Sequence, residues 1–552
     1  MKSKPEYRLL ALIIFMVSLI LGGTTGKIAG RITDAETGEP LIGANVVLLG
    51  KIVDGRVVHL SPSDQQGAAA DANGEYYIIN ISPGIYSIQI SYIGYQSIVQ
   101  KGIRVSVDLT TRVNAELSTT IIQAGEAVIV TAERREIKRD LTSSEVSIGA
   151  DQIGEMPVRS VRDLVSLQAG VTLDASGNIH IRGGRSTEIA YMVDGVRVID
   201  PLNRSSGISI DDQAIEELKI ITGTFNAEYG QAMSGVVEVV TKEGGDKLSG
   251  QLSLYGGDYL SSDTETFLNI DSFDPLGLSN IQVSLSGPIP LWSEKLSFFT
   301  TGRSYNNNGW LFGQKVFHPS DSSNFNSPDP EEWYIETTGD STVVSMNPYN
   351  KQTAQCKFTY RIFPDLKLSY EILWDKVDYR KYSHSFKYNP DGYYQHHKKG
   401  YTHLLIWNHT LSPRTFYTVK FSNFFFDYER YVYENSLDDR YVDPRLLKGN
   451  FRTGGTEMDH FYRNTRTLVG KFDITSQVSK THQVKMGFGA KRHELWLHEY
   501  QIRIDRSTDW KPQIPPDTLG VLKNNKYTHL PIESSIYIQD KMEFKDMIVN
   551  AG

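Results

Sequence analysis

The sequence predicts a mainly β protein with three folded parts: a small β-sandwich, an α+β domain and part of a large antiparallel transmembrane β-barrel. Of the 59 aromatic residues, only ten lie in the first 245 positions, and the remaining 307 positions hold 49. Aromatic side chains are enriched where strands cross a membrane boundary. Short strands separated by Gly and Pro turns precede this break, and long alternating strands follow it.

Composition excludes several function classes. The net charge of -8 is mild and spread along the chain, so nucleic acid is not an expected partner. The single cysteine, Cys356, excludes an intrachain disulfide framework and a cysteine-based zinc cluster, and is interpreted as a packing residue. His493 and His498 flank an acidic segment, but they lie five apart in a strand pattern, unlike the helical zinc-peptidase motif. No catalytic residue, metal or cofactor is therefore expected.

The N-terminus has the order of a secretory signal. Lys2, Lys4 and Arg8 precede an apolar run over residues 9–21, and small residues follow at 22–26. A membrane anchor helix is the alternative, but such a helix needs roughly 20 apolar residues. We predict a signal peptide over residues 1–26 with cleavage after Gly26. No other stretch is apolar enough for a spanning helix, so any membrane insertion must use strands.

Residues 27–117 have the pattern of a small β-sandwich, of prealbumin-like or immunoglobulin-like type. Predicted strands cover Ile28–Ile32, Ala44–Leu49, Glu75–Ile79, Tyr86–Tyr92 and Ile103–Leu109. Turn residues lie between them, at Thr37–Pro40, Asp71–Gly74 and Ser82–Gly84.

Five segments of this region resemble the carboxypeptidase regulatory-like domain. They are Gly30–Ile32, Thr37–Val46, Asn73–Tyr76, Pro83–Tyr86 and Gly94–Tyr95. That domain is an accessory module, and no zinc-ligand set follows it in this chain. A structural spacer is therefore preferred to a ligand site, because a site must be argued from residues and not from a fold.

Residues 118–139 are predicted to be a linker that contains a short strand-prone segment. The segment is Glu126-Ala127-Val128-Ile129-Val130-Thr131-Ala132, and a charged run follows it. An exposed β-forming segment of this kind can add as an edge strand to a partner's sheet. Two interpretations are open: an energy-coupling box, or simply the first strand of the next domain.

Residues 140–245 are predicted to form the α+β domain. A strand over Ser143–Ile148 and a turn over Ile153–Pro157 precede a helix over Val161–Gln168 that ends at Gly170. Further strands are predicted over 178–182, 189–193, 215–222 and 234–242, with a tight turn at Asp194-Gly195.

Four motifs in this order closely resemble the plug domain of TonB-dependent outer-membrane receptors. They are Ile181-Arg182-Gly183-Gly184, Val193-Asp194-Gly195-Val196, Ala227-Glu228-Tyr229-Gly230 and Gly235-Val236-Val237-Glu238-Val239-Val240-Thr241-Lys242. Glu238 is a departure, since the family usually has asparagine there. The resemblance favours the TonB-box interpretation of residues 126–132. Arg182 and Glu228 are expected to lock the plug to the barrel wall by ion pairs, with ligand contacts or solvated surface charges as the alternatives.

Residues 246–552 are predicted to be the N-terminal portion of the barrel. Ten strands are expected at 248–257, 279–290, 296–306, 350–362, 365–380, 400–412, 414–433, 463–479, 482–501 and 531–546. Short connections such as 363–364 and 412–413 would face the periplasm, and the long polar loops 307–349, 434–462 and 502–530 would face outside. The acidic residues of loop 307–349 are interpreted as solvated rather than as a calcium site, since calcium-loop spacing is absent.

About ten strands make half of a plugged transporter's barrel, which has roughly 22. The last six residues have the pattern of another strand, so a truncated chain is expected.

The resemblance implies a receptor that binds an unknown extracellular ligand and imports it by energy-coupled movement of the plug. Its implied partners are an inner-membrane TonB-type protein and outer-membrane lipids, with the front domains in the periplasm. An adhesion or surface-assembly protein on the same architecture is one alternative. A polysaccharide importer paired with a surface lipoprotein is another, although Thr131-Ala132-Glu133-Arg134 replaces the glycine-tyrosine-glycine segment usual in that subtype. An enzyme is the least expected class.

Overall fold

The computed structural model places three consecutive parts together: a front domain, a plug domain and a curved sheet that we call the wall. Strands are numbered β1–β35 and α-helices α1–α2 in chain order. The residues described are 24–53, 56–60, 66–119, 128–131, 143–156, 158, 160, 161–174, 177–202, 204, 207, 209–289, 295–325, 327–443, 447–448, 450–516, 524–544 and 547–552. Residues 1–23 of the predicted signal peptide lie outside this set.

The front domain is the predicted sandwich of two sheets. One sheet contains β1 (Gly26–Asp34), β5 (Glu75–Ile81), β8 (Thr110–Arg112) and β9 (Ala115–Leu117). The other contains β2 (Asn45–Val53), β3 (Arg56–His59), β4 (Gly67–Ala69), β6 (Gly84–Ser91), β7 (Ile98–Val105) and β10 (Val128–Thr131). Alternate positions such as Ile28, Val46 and Ile88 are fully buried between the sheets.

One strand prediction for the front domain needs correction, whereas the cleavage point after Gly26 stays a prediction. The strand predicted over Ile103–Leu109 ends at Val105, and Asp108 adopts a positive φ of 61° in the turn that follows. β1 begins at Gly26, ahead of the predicted cleavage point, and the neighbouring Thr25 is buried. Cleavage after Gly26 would therefore remove a residue that pairs with Ile81.

The plug domain has a five-stranded sheet with the order β11-β16-β17-β14-β15. Its elements are β11 (Glu145–Gly149), α1 (Ala150–Glu155), α2 (Val161–Ser166), β12 (Val171–Leu173), β13 (Ile179–Ile181), β14 (Ile189–Val193), β15 (Val196–Arg197), β16 (Ile215–Ile221) and β17 (Gly235–Thr241). The turn predicted over Ile153–Pro157 is wrong, because Ile153 lies in α1 and is buried in the plug core. The predicted helix is confirmed as α2, with the Ser160 side chain capping its N-terminus.

The wall is one antiparallel sheet of twelve strands, with β18 at one end and β35 at the other. The strands are β18 (Ser249–Gly257), β19 (Leu278–Pro288), β20 (Leu296–Asn307), β25 (Tyr349–Phe363), β26 (Leu366–Tyr379), β27 (Gln395–Ser412), β28 (Thr415–Tyr431), β31 (Asp459–Gln477), β32 (His482–Gln501), β33 (Asn524–His529), β34 (Ile532–Glu543) and β35 (Ile548–Ala551). All ten predicted strands are present. β35 lies within the last six residues, where the sequence predicts the start of a further strand, and β33 is an additional short strand.

Side chains alternate across the wall as the sequence predicts. On β26, Tyr370 and Trp374 are exposed on the outer face, whereas Glu371 and Asp375 are buried on the inner face against the plug. The predicted polar face is therefore covered by protein over much of its length.

The long loops carry structure of their own. Small hairpins form from β21 (Phe312–Gln314) with β24 (Val343–Ser345), β22 (Ser323–Asn324) with β23 (Tyr334–Ile335), and β29 (Leu447–Lys448) with β30 (Phe451–Arg452). Short 3-10 helices lie at Ser186–Glu188, Asp212–Ala214, Pro330–Glu332, His384–Phe386, Pro390–Gly392 and Arg506–Thr508.

One acidic side chain of the long loop 307–349 does not match the prediction of a solvated loop. Asp321 is buried, and it accepts hydrogen bonds from the backbone N–H groups of His318 and Thr338. Its carboxylate therefore holds the loop together rather than facing water. Within the described part of the chain, no helix is long and apolar enough to span a membrane.

Replacing Ile88 by Ala should destabilise the front domain by about 2–5 kcal/mol, because the side chain is fully buried between the two sheets. The matched control is Ile93→Ala, since Ile93 is 95% exposed in the same domain. Native-state hydrogen exchange of front-domain peptides measures both effects. Equal exchange in the two variants would contradict this assignment of the core.

Candidate functional site

The candidate functional site is the boundary between the plug and the wall, and its best-defined contact is the Asp194-Gly195 turn. The turn joins β14 to β15 with positive φ values of 46° and 76°, as the predicted hairpin turn requires. Asp194 Oδ2 accepts from Lys357 Nζ of β25 at 2.7 Å and from Thr241 Oγ1 of β17 at 2.8 Å. One carboxylate thus joins the plug sheet to the wall.

This ion pair is almost fully removed from water. Asp194, Lys357 and Thr241 are 2%, 2% and 1% exposed. Burial alone would raise the pKa of Asp194, but the Lys357 ammonium and the hydrogen bonds from Thr241 hold it below its usual range. The pair is therefore ionised, and removing either partner would leave a buried charge.

Two more wall lysines complete the contact, which we call the lysine seat. Lys420 Nζ of β28 donates to the Asp194 carbonyl at 2.8 Å, and Lys471 Nζ of β31 donates to the Gly195 carbonyl at 3.4 Å. A Cβ atom at Gly195 would lie 2.2 Å from Lys420 Nζ. Glycine is therefore favoured here by its positive φ, and a Cβ atom would also displace the end of the Lys420 side chain.

Other plug carboxylates also pair with basic side chains of the wall. Asp211 pairs with Arg303 at 3.3 Å and also accepts a short hydrogen bond from Thr353. Asp200 pairs with Arg463 at 2.8 Å. In each case the acid lies on the plug and the base on the inner face of the wall, so opposite charges match across the boundary.

A third contact joins all three parts of the molecule, and we call it the Asp108 latch. Lys485 of the wall binds Glu228 of the plug at 2.6 Å and Asp108 of the front domain at 2.9 Å. Asp108 also pairs with Lys219 of the plug at 3.3 Å. Burial would raise the pKa of Asp108, but the ammonium groups of Lys485 and Lys219 bring it well below its usual range.

Glu238, the departure from the family pattern, lies beside this latch. Its carboxylate is 3% exposed and accepts from the Tyr229 hydroxyl at 3.0 Å. Burial and the charge of Asp108 raise the pKa of Glu238. The acidic residue is thus accommodated by a motif neighbour, Tyr229, rather than by solvent.

The front domain also contacts the end of the wall that carries the short turns. Glu543 accepts hydrogen bonds from Thr110 at 2.7 Å and from Arg112 at 3.1 Å, and it pairs with Lys27 at 3.5 Å. Lys51 pairs with Glu216 of the plug at 2.8 Å. The front domain therefore lies at the end of the wall predicted to face the periplasm.

The opposite end of the wall carries cations over aromatic rings. Arg430 lies 4.8 Å from the ring centre of Tyr394, and the rings of Tyr379 and His396 stack at 4.6 Å. His396 also bonds the Tyr428 hydroxyl at 2.8 Å. Such planes and charges can hold a ligand by stacking and by ion pairing.

The predicted TonB box is only partly within the described residues. Val128, Ile129, Val130 and Thr131 form β10, whereas Glu126, Ala127 and Ala132 lie outside the described set. β10 pairs in parallel with β7, from Val128 opposite Ile98 to Thr131 opposite Lys101. The described part of the segment is therefore an edge strand, but it is added to the sheet of the chain's own front domain and not to a partner's sheet.

Of the two charged residues expected to lock the plug to the wall, one forms the expected ion pair and the other does not. Glu228 pairs with the wall through Lys485. Arg182 is exposed at a positive φ of 49°, and among the described residues it has no acidic partner, so a wall ion pair is not formed there.

The remaining motif residues shape the plug itself. Cβ atoms at Gly184 and Gly235 would lie 2.3 Å from Ser234 and Ile181, whereas Gly183 needs its positive φ of 74°. Two backbone groups of the motifs form hydrogen bonds: the Gly230 carbonyl accepts from Arg197, and the Lys242 N–H donates to Ala214.

Sequence reasoning missed the wall bases and most of their acids. Each wall lysine occupies a polar-face position of a predicted strand, so listing the polar-face residues would have included Lys357, Lys420 and Lys485. Asp108 and Asp211 lie in turns that match none of the motifs, and no sequence signal marks them.

Comparison with known proteins supports the same architecture. Residues 27–118 match the carboxypeptidase regulatory-like domain, and residues 137–237 match the TonB-dependent receptor plug domain. The TonB-dependent transporter Oar of Myxococcus xanthus is 27% identical over 240 residues, which cover 41% of this chain and 21% of Oar. The vitamin B12 transporter BtuB of Vibrio vulnificus is 29% identical over 144 residues, which cover 25% of this chain and 24% of BtuB.

Among solved structures, the outer membrane transporter YddB of Escherichia coli matches with a TM-score of 0.51 and 12% identity. The match covers 74% of this chain and 55% of YddB, and it shows the fold alone. The matched parts span about a quarter or less of the curated relatives' length. The front-domain match, the plug match and the strand-built wall together support a TonB-dependent receptor.

Proposed function

We propose that the protein binds an extracellular ligand in the outer membrane and imports it by energy-coupled movement of the plug. The front domain would lie in the periplasm, and residues 1–26 would direct export. The partners would be a TonB-type protein of the inner membrane, outer-membrane lipids and a ligand, on which no chemistry is performed.

The observation that carries this proposal is the polar boundary between plug and wall. The lysine seat, the Asp211 and Asp200 pairs and the Asp108 latch are separate ion-pair and hydrogen-bond contacts across this boundary. Ion pairs of this kind can exchange partners with water as the plug moves, whereas a continuous apolar interface could not. A polar cavity of about 30 Å³ beside the latch has room for a water or two.

The order of parts along the chain supports energy coupling through residues 126–132. This segment precedes β11, which is the edge strand of the plug sheet. A pull on the segment would therefore reach the plug at its edge. Ligand capture would fall to the opposite end, where Arg430, Tyr394, Tyr379 and His396 lie.

Replacing residues 126–132 by a Gly/Ser segment of equal length should abolish import and leave ligand binding intact, because only the coupling contact is lost. The measurement is untargeted mass spectrometry of the medium around cells that carry the parent protein, this variant or no protein. The parent should deplete at least one compound that the variant cells leave behind.

The matched control replaces the neighbouring residues 133–139 in the same way and should deplete the medium like the parent. Depletion by the 126–132 variant at the parent's rate would refute energy-coupled import. That result would favour an adhesion or surface-assembly protein.

Asp194→Asn should loosen the plug by about 3–5 kcal/mol, because the buried Lys357 then loses the carboxylate with which it forms its ion pair. The double variant Asp194→Asn/Lys357→Met should recover much of this loss. Hydrogen exchange of β14 and β17 in detergent measures the effect.

The control for the lysine seat is Asp151→Asn, which breaks a pair with Arg104 whose side chains are 44% and 28% exposed. It should cost less than about 1 kcal/mol. If Asp194→Asn and Asp151→Asn behave alike, the lysine seat does not hold the plug.

Acid should release the front domain from the plug. Asp108 has a depressed pKa when docked, so its contribution is fully present above its undocked pKa of about 4 and declines progressively as pH falls from there through the depressed docked pKa, with the onset of the loss between pH 4 and pH 3. Limited proteolysis of residues 106–109 between pH 7 and pH 3 measures the release. The variant Asp108→Asn should be cleaved readily at pH 7. The exposed control Glu36→Gln should resist cleavage like the parent. If Asp108→Asn resists cleavage as the parent does, the Asp108 latch does not hold the front domain.

A further inference from the structure

One edge of the front domain's second sheet is occupied by β10, a strand that follows the domain in the chain. This sheet has the order β10-β7-β6-β2-β3, so β7 would be an edge strand without β10. An edge strand presents unpaired N–H and C=O groups that readily accept another strand. Here four residues, Val128–Thr131, occupy that edge in unbroken register.

The sandwich is complete before β10 begins. Its hydrophobic core contains residues from Ile28 to Leu117, and the match to the carboxypeptidase regulatory-like domain ends at residue 118. Residues 120–127 then connect the domain to β10. β10 therefore lies beyond the matched domain in the chain and pairs with the β7 edge, as a bound peptide would.

We propose that the front domain is a strand-binding module, whose β7 edge takes an extended peptide and holds the chain's own coupling segment. Main-chain hydrogen bonds along the edge would supply the affinity, as in other cases of strand addition. Because only eight residues tether it, the segment has an effective concentration on the order of millimolar at this edge.

A consequence follows for energy coupling, and it rests on the proposed function. A partner that takes up residues 126–132 as a strand must first remove β10 from β7. The affinity of the partner is then reduced in proportion to the fraction of chains in which the segment is free. The front domain would thus withhold the coupling segment until a partner competes for it.

The strand site can be tested without any partner. The probe is a fluorescent peptide with the sequence of residues 126–132, added to the whole chain in which those residues are replaced by Gly/Ser. This vacated chain should bind the peptide at least about tenfold more tightly than the parent, whose edge is filled. A peptide carrying Ile129→Pro is the control and should not bind, since proline removes a donor and blocks the ladder.

Two results would overturn the strand site. The first is equal binding of the peptide to the vacated chain and the parent. The second is no binding to either, since a peptide-binding edge should accept its own segment when it is supplied separately.

The proposal that the front domain withholds residues 126–132 from a partner is tested by locking β10 to β7. Val99 and Ile129 face each other in register, and paired residues of neighbouring strands lie about 5 Å apart, within disulfide range. The lock is Val99→Cys/Ile129→Cys in a Cys356→Ser chain, because Cys356 is the chain's own cysteine. Oxidation should lower capture of a purified TonB-type periplasmic domain at least tenfold, and reduction should restore it.

The matched control carries Val99→Cys and Cys356→Ser alone and should capture the domain equally in both redox states. Equal capture by the oxidised lock and the reduced lock would overturn withholding. If the peptide fills the vacated edge but no form of the chain captures the TonB-type domain, the proposed function fails while the strand-binding module stands.

Discussion

The seating of the plug depends on one turn, in which Asp194 and Gly195 meet three lysines from three different strands of the wall. The carboxylate pairs with Lys357, and the two backbone carbonyls accept from Lys420 and Lys471. Burial makes every one of these charges costly unless it is paired. The position of β14, and with it the plug sheet, is therefore fixed by a requirement of the wall.

The need to pair buried charges also links the front domain to the plug and the wall. Asp108 follows β7 by three residues and lies between Lys219 of the plug and Lys485 of the wall. β7 also carries β10 along its edge. The strand β7 thus contacts β10 on one side and leads directly into the contact that joins all three parts.

Much of the fold could be predicted from sequence, because alternation and turn residues are local signals. All ten predicted strands of the twelve-stranded wall and the Asp194-Gly195 turn follow from these signals. Helix α1 was missed because Gly154 and Pro157 mark a turn, whereas burial of Ile153 decided the outcome. The ion pairs could not be predicted: Asp194 and Lys357 lie 163 residues apart, and no local pattern relates them. Arg182 has the charge for such a pair but not the geometry.

The order of strands in the plug sheet has a mechanical consequence. The chain enters the plug at β11, at one edge of the sheet, while the lysine seat lies at the end of β14, near the other edge. A tension applied ahead of β11 would peel it from β16 before any load reached β17 or β14. Within this strand order, β11 is the strand that such a tension would load first, and the lysine seat lies near the opposite edge of the sheet.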